Sequence, residues 1–497
     1  MKAKRIPCLL IAVLMTAVTI AHCGLEGDKT AVTTTAAEIT AAPEITETSL
    51  FMNDDLPELD FEGAEVKVFC WESWDQAEFF VEEDTGEILD SVIYERNLKV
   101  EERLNIDLVW VMKPRGSSAY GSDLKNAMVA QNFSGDLIYD LVACYGARVA
   151  SCAVDGHLSN LNDAPYMDLS KPWYSESAIA AGQLGKGFNY VFAGDISYNY
   201  LSRMSGIFFN RGMINDFGLE DPYKLVLDGK WTIDKLHEMI DGTYVDLNGN
   251  GKADKDDQFG IMTASDQMNT LYYGTGSHFI SLDENGAPRL SDDIFSERTM
   301  MIIEKYLGVF ADPAAFKHPT VDDTTIFDTG RSLFYIYPLG HVNDATLRDS
   351  QITYGFIPQP KPDENEDKYH ASVTNAVTLF GIPLVVESMD RASALAECLS
   401  SEGYRLVSPA VFEIVYKVKY NYSEGSEQSE IFDMMRQNVV FDFGKLFMDS
   451  FAGFTNGVIS ETLWSGKNKY ASVVASKRES WENTLQKIIE NLTAVKN

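Results

Sequence analysis

Apolar positions along the chain first fall into a regular order near residue 61. Val66-Lys67-Val68-Phe69-Cys70 reads as a buried strand, and Leu89, Ile93, Val100 and Leu104 then recur at the spacing of one helix face. Ile106 to Met112 is a second apolar strand, Asp123 to Gln131 a second helix and Tyr139 to Cys144 a third strand. Strands alternating with helices predict an α/β fold built on a mostly parallel sheet flanked by helices, whose ligands sit beyond the carboxyl ends of the strands. Trp71, Trp74 and Tyr145 stand at those ends.

From Leu158 the pattern turns irregular and aromatic, then strand-like at Phe188 to Phe192 and again at Met204 to Asn210, which leads into Arg211-Gly212-Met213 and a helix. Near the C-terminus Trp481, Leu485, Ile488 and Leu492 form one apolar stripe, predicting a long helix that packs on a lobe. Ahead of the folded part, Lys2, Lys4 and Arg5 followed by the apolar run Ile6 to Ile20 have the charge and length of a secretory signal, residues 1–22, rather than of a membrane span. Cys23 follows Ile20-Ala21-His22 and precedes Gly24, which resembles the site where a bacterial lipoprotein is cut and lipidated. His22 departs from that pattern, where a small residue is usual, and ordinary cleavage to a soluble product is the alternative. Residues 23–60 begin with a tract rich in Thr, Ala and Glu, too polar to build a core and expected to act as a flexible tether. The roughly 430 residues that remain exceed one ordinary core, so two lobes are expected.

Charge narrows the partners. Against 74 Asp and Glu the chain carries 41 Lys and Arg, a net −33, which argues against nucleic acid or anionic lipid as a binding partner and leaves the membrane to the N-terminal lipid alone. Beyond Cys8 and Cys23, the cysteines are Cys70, Cys144, Cys152 and Cys398, with no CxxC motif. Buried free thiols are the expectation for them, a Cys144–Cys152 bridge the alternative in an exported protein.

The most specific chemical signal runs from Val245 to Phe259. Counting from Asp246, oxygen-bearing side chains fall at loop positions one, three, five, nine and twelve (Asp246, Asn248, Asn250, Asp254, Asp257), with Gly251 at six and the Lys252 carbonyl at seven. A hard cation needs six or more oxygens converging on one point, and a short loop achieves that by turning sharply at a glycine. The spacing is that of a Ca2+ loop. Asp257 at twelve, in place of the longer Glu of an EF-hand, makes it similar to the calcium loops of dockerin-type modules. A polar Asn-Gly turn is the alternative. Asp246, Asp254, Asp256 and Asp257 would repel one another without a cation, so the ion is expected to staple the preceding helix to the following strand rather than to act on a ligand.

Several separated stretches carry a resemblance. Gly185-Lys-Gly-Phe-Asn-Tyr190, Gly194-Asp195, Ile207-Phe208-Phe209-Asn210-Arg211, Phe217-Gly-Leu-Glu-Asp-Pro-Tyr223 and Gly229-Lys-Trp-Thr-Ile-Asp-Lys-Leu236 resemble the family 1 extracellular solute-binding proteins of ABC importers, the group that includes maltose-binding protein. Gly276 to Phe279 with Ser281 to Gly286, the stretch Gly330 to Tyr337, Tyr354 to Pro360 and the crossover Val373 to Pro383 extend the likeness over nearly everything from Phe61 onward. The resemblance implies a two-lobed periplasmic-binding-protein-like fold of type II, with one lobe at 61–196 plus 376–430 and a second at 197–375 plus 431–497, joined by a hinge. It also implies a monomer that captures a carbohydrate in the inter-lobe cleft and delivers it to ABC permease subunits at the outer face of the cell membrane.

Sugar recognition needs flat apolar surfaces for the ring faces and planar polar groups for the hydroxyls. Candidates placed at strand ends or crossovers are Trp71, Trp74, Tyr145, Asp195, Tyr198, Asp266, Gln267, Asn269, Tyr337 and Asn375, each of which could equally be a core residue. The rival class is a secreted, calcium-stabilised glycoside hydrolase, which needs two carboxylates about 5 to 10 Å apart. A carbohydrate-binding surface adhesin is a third reading. No catalytic residue is assigned and no enzyme is expected. His237-Glu238 starts like a zinc-protease helix but has Asp241 where the second His belongs, and no GxSxG elbow or phosphate-binding Gly-rich loop occurs.

Overall fold

The computed structural model describes residues 52–72, 78–114, 122–135, 138–185, 187–319, 323–413, 426–451 and 454–494. The signal segment, Cys23, most of the tether and Trp74 lie outside the described residues.

Two sheets organise the chain. In the first, β1 (Ala64–Trp71), β2 (Ile106–Lys113) and β3 (Leu141–Tyr145) run parallel with β1 between the other two, joined by the helices Ile88–Leu104 and Leu124–Ser134. The apolar run read from sequence is buried throughout at Val68, Phe69, Cys70 and Trp71. The helix buries Ile93, Val100 and Leu104, and with them Arg96, whose guanidinium donates to the carbonyls of Ile196 and Phe79. Burial of that cation is possible because its donors meet carbonyls on two neighbouring segments.

The second sheet holds β4 (Met204–Asn210), β5 (Phe259–Ala264), β8 (Ala315–His318), β9 (Ser332–Pro338), β10 (Tyr354–Ile357), β11 (Ala371–Val373) and β13 (Val439–Val440), while β6 (Ile280–Leu282) and β7 (Pro288–Leu290) form a separate hairpin. β5 runs parallel to β8 and β9, but β4 runs antiparallel to β9, β10 and β11. A strand that arrives from the other sheet enters at the cleft end and must run away from it, opposite to its neighbours. β12 (Thr378–Gly381), which returns to the first sheet, obeys the same rule and is antiparallel to β3. The chain therefore passes between the sheets ahead of β4, between β11 and β12, and again between β12 and β13. β10 lies against β4 at Gly206, where an added Cβ would sit 2.5 Å from the Phe356 ring, so that close approach requires glycine.

Phe188 to Phe192 is not a strand. Its backbone hydrogen bonds do not form a ladder: Leu161 N–H donates to the Asn189 carbonyl and Asn189 N–H to Asn160 Oδ1, Phe188 makes a single bridge to Leu184, and Phe192 alone exchanges both backbone bonds with a strand residue, Phe380 of β12. The C-terminal helix Tyr470–Ala494 buries Trp481, Leu485, Ile488 and Leu492, as its stripe predicts, and Tyr190 Oη donates to the Leu492 carbonyl at 2.5 Å. Cys70, Cys144, Cys152 and Cys398 are free and buried.

Candidate binding cleft and cation loop

The carboxyl ends of β1 and β3 and the starts of β12 and β4 converge where the chain passes between the sheets. Trp71 closes β1 fully buried, its Nε1 donating to Thr378 Oγ1 at 3.1 Å. Its ring meets Tyr145 edge-on, 5.6 Å between centroids. Trp71 thus supports Tyr145 from beneath, and the half-buried Tyr145 is the ring nearer the open side, with the Arg148 guanidinium 5.9 Å from its centroid.

Beside Tyr145 lies a small hollow, bounded by Gly146 and Ala147 from the helix Gly146–Val154, by Thr374 and Asn375 of the crossover, and by Asp442 and Lys445. Asn375 Oδ1 has no hydrogen-bond partner there. In the second lobe, the loop after β5 brings Asp266, Gln267 and Asn269 together. Gln267 Nε2 donates to Asp266 Oδ2 at 2.8 Å and Asn269 Nδ2 to the Asp266 carbonyl at 2.8 Å, while Gln267 Oε1 and Asn269 Oδ1 are buried with no donor. Asp266 is exposed.

Tyr337, near the carboxyl end of β9, stacks on Tyr335 at 4.8 Å and meets His341 edge-on at 5.3 Å. Tyr198 is 3 % exposed and lines a second small hollow with Leu89, Leu339 and Asn343. Asp195 sits differently. It is buried, Ser408 Oγ donates to its Oδ1 at 2.6 Å and Tyr200 Oη at 3.4 Å, and burial pushes its carboxyl up to about 6. Its geometry is that of a brace tying the crossover to the Ser408–Glu413 helix.

Asp442 and Lys445 were invisible in the pattern, because Asp-x-x-Lys at a helix start reads as a cap. Asp442 is indeed the cap of Phe443–Leu446, accepting from Lys445 N–H, but its Oδ2 also takes the Phe279 and Ile280 amides at 2.9 and 3.1 Å. Lys445 is 5 % exposed; its Nζ donates to the Val373 carbonyl and lies 4.8 Å from the Tyr273 ring centre. Burial pulls its pKa down to about 7, against the pull of Asp442 in the other direction.

The acidic loop follows the helix Ile233–Ile240 and is closed by the Val245 and Gln258 backbone pair ahead of β5. Gly251 has φ +71°. Asp246 accepts from the Gly249 and Gly251 amides at 2.7 and 2.8 Å, Asn248 and Asn250 donate to Asp254, and the buried Asp257 takes Leu247 N–H and Tyr244 Oη. Arg331, just ahead of β9, donates to the Lys255 carbonyl at 2.6 Å. Among the described residues no three Asp, Glu, His or Cys side chains converge as a metal set. Asn248 and Asn250 turn their amide nitrogens to Asp254, while their Oδ1 atoms accept the Asn250 and Lys252 amides. The side chains at the spaced positions of the loop are all oxygen-bearing, the donor chemistry a hard cation takes.

No protein-family model matches the sequence, and no curated protein matches it. Solved structures do match its fold. The GacH receptor of Streptomyces glaucescens, solved unliganded and with acarbose, is 14% identical and covers 86% of this chain and 99% of its own, with a TM-score of 0.54. The cyclic alpha-maltosyl-1,6-maltose binding protein of Arthrobacter globiformis is 13% identical, covering 86% and 100% at a TM-score of 0.54. The galacto-N-biose-/lacto-N-biose I-binding protein of an ABC transporter from Bifidobacterium longum is 12% identical, covering 87% and 98% at 0.53. The chain has the two-lobed α/β fold of these solute-binding proteins.

Proposed function

We propose that this chain is the extracellular solute-binding component of an ABC transporter, capturing a sugar or oligosaccharide between its lobes and delivering it to membrane permease subunits. The observation that carries the reading is the set of carboxamide oxygens left without donors, those of Gln267, Asn269 and Asn375, near the cleft-facing ends of both sheets. Buried acceptors without donors are costly unless a ligand supplies them, and sugar hydroxyls are such donors. Tyr145, supported by Trp71, offers the flat surface such a ring would stack on. The names of the similar structures, which describe binders of acarbose, a cyclic maltosaccharide and lacto-N-biose, support the same class.

In this reading one lobe comprises 61–196 with 376–430 and the other 197–375 with 431–497. Trp71 acts as support, Asp195 as a brace, and Tyr145, Tyr198, Asp266, Gln267, Asn269, Tyr337 and Asn375 as contacts; Trp74 stays a candidate on its position alone. The acidic loop holds a structural Ca2+ through Asp246, Asn248, Asn250, the Lys252 carbonyl, Asp254 and Asp257. The protein is exported, works as a monomer and is held at the cell membrane by lipid on Cys23. Among the described residues no helix is long and apolar enough to cross a membrane.

Calorimetric and tryptophan-fluorescence titration against a panel of mono- and oligosaccharides tests the function. At least one sugar is expected to bind with micromolar affinity, about −8 kcal/mol. Silence across the panel, or steady turnover of a glycoside, would overturn the assignment.

A further inference from the structure

The C-terminal helix Tyr470–Ala494 is held by both sheets' surroundings and not by one lobe alone. Its start lies with the second sheet: Tyr470 Oη donates to the Ile294 carbonyl at 3.1 Å, the Arg478 guanidinium stands 4.4 Å from the Phe295 ring centre, and the helix packs on β7 and on the helix Glu297–Ala311. It also packs on the helix Gly146–Val154, which follows β3 of the first sheet, and at its far end the Leu492 carbonyl accepts from Tyr190 Oη at 2.5 Å. From Tyr470 to Leu492 the rod is about 33 Å long. Its apolar stripe is buried as far as Leu492, so the far end is seated against the protein.

Tyr190 is fixed to the first sheet. Phe192, just beyond it, exchanges both backbone bonds with Phe380 of β12, and a Cβ added at Gly381 would stand 3.2 Å from the Tyr190 carbonyl oxygen. A second contact joins the same flank. The β6–β7 hairpin, on which the helix rests, turns at Gly286, whose carbonyl accepts from Gly185 N–H at 2.8 Å; a Cβ at Gly286 would sit 3.2 Å from Gly185 Cα. Gly185 belongs with Tyr190, because the neighbouring Leu184 N–H donates to the Phe188 carbonyl. The hairpin tip and the helix end therefore grip the first lobe at one place.

Rotation of the lobes would shear both contacts. Thr378 opens β12 at the crossover and Gly381 closes it beside Tyr190, so the grip lies about 10 Å of strand away from the crossover. A turn of about 15°, the size known for subunits rotating about an interface, moves a point at that distance by about 3 Å. That exceeds the range of a hydrogen bond. We propose that the C-terminal helix and the β6–β7 hairpin form a latch across the lobes, which holds the resting inter-lobe angle until the Tyr190–Leu492 and Gly185–Gly286 contacts release together. Two such bonds shift an equilibrium by roughly ten- to a hundredfold, enough to set a resting state and little enough for a ligand to overcome.

Small-angle scattering of the ligand-free full chain tests the latch. Tyr190→Phe removes the hydroxyl donor between the lobes, and the open fraction fitted to the scattering curve is expected to rise about two- to tenfold, the factor one hydrogen bond carries. Tyr470→Phe is the matched control: it removes the same kind of bond within the second lobe, and its curve is expected to equal that of the unaltered chain. A helix that merely packs would lower the melting temperature in both variants and change the curve in neither. An unchanged curve in Tyr190→Phe, or equal responses to the two substitutions, would overturn the latch. Should Tyr190→Phe not fold, Leu492→Val, a smaller side chain at the same buried end, carries the comparison with the same expected direction and the same refutation. No sugar enters the measurement, so a failed latch leaves the solute-binding assignment standing, and a silent sugar panel leaves the latch.

Discussion

At the scale of single residues, two buried charges bound the pH range in which this protein is stable. Asp54 lies where the N-terminal segment meets the fold, its side chain fully buried. Arg103 donates to both its oxygens at 2.6 Å, Ser401 at 2.7 Å and Arg405 at 3.3 Å. Burial alone would raise its pKa, but the Arg103 and Ser401 hydrogen bonds outweigh burial and hold it well below the usual carboxylate range. A depressed folded pKa contributes stability above the unfolded value and loses it as pH falls towards the folded one. His341 has the opposite sign. Burial lowers its pKa, yet Asp328 on Nε2 and Asp344 on Nδ1, each at 2.8 Å, raise it overall. Both ring nitrogens face carboxylates, so the imidazolium is the form that fits, and its contribution is full below the ordinary histidine pKa and fades as pH rises through the folded value. Asp54→Ala is expected to cost about 3 kcal/mol at neutral pH, near the low end for a broken buried pair because Arg103 and Arg405 still reach water. It should also flatten the acid limb of a stability–pH profile measured by urea unfolding, while His341→Gln flattens the alkaline limb. Profiles unchanged in shape would refute the assignment.

At the scale of elements, legibility in the sequence followed how local the cause was. β4 was readable because its apolar run is continuous and buried throughout, and β1 because Val66 and Val68 to Trp71 are buried, while β2, in which Ile106 alone is buried, was readable from its apolar run. Phe188 to Phe192 carries a similar run, but its middle is met by the Asn160 and Asn189 side chains and only Phe192 pairs with a strand, at Phe380, and nothing local distinguishes that from a ladder. Trp71 and Tyr145 were placed by the strand-end rule, yet which of them is support and which is surface depends on Thr378, 307 positions away. Lys445 was missed for the same reason, since its surroundings come from Val373 and Tyr273. The acidic loop is the reverse case, a site whose donors lie within twelve residues. Arg331 and the Val245–Gln258 pair fasten it to β9 and β5, so ordering it tightens that end of the second sheet. Extracellular calcium modules bind at about 10⁻⁴ to 10⁻³ M, and millimolar Ca2+ should raise the melting temperature by roughly 1 to 3 °C, reversed by chelation. Asp246→Ala is expected to abolish the calcium response while leaving sugar affinity within about twofold, because the loop and the crossovers are fixed by separate hydrogen bonds. A large loss of affinity on chelation with an unchanged melting temperature would refute a structural role.

At the scale of the molecule, the passages between sheets make the junction both the proposed ligand site and the proposed hinge. β4 and β12 each enter their sheet at its cleft-facing end, and Asn375 sits on the segment that joins β11 to β12, while Gln267 and Asn269 follow β5 of the second sheet. A ligand shifts a two-state equilibrium only by the difference in its affinity for the two states. A sugar held by Gln267, Asn269 and Asn375 alone would bind without closing the cleft, whereas one that also reaches Tyr145 in the other lobe gains that contact only when the lobes meet. Small-angle scattering is therefore expected to show the radius of gyration falling on saturation with a bound sugar. Asn375→Ala should weaken binding about tenfold, since the ligand's hydroxyl loses a buried acceptor, whereas Tyr145→Ala, which removes the contact on the other lobe, should diminish the contraction as well. Asp266→Ala, at an exposed position in the second lobe, should weaken binding less and leave the contraction intact at saturation. A saturating ligand that leaves the radius unchanged in the native chain would show that capture does not depend on closure, and that the contacts assigned across the junction are not made together.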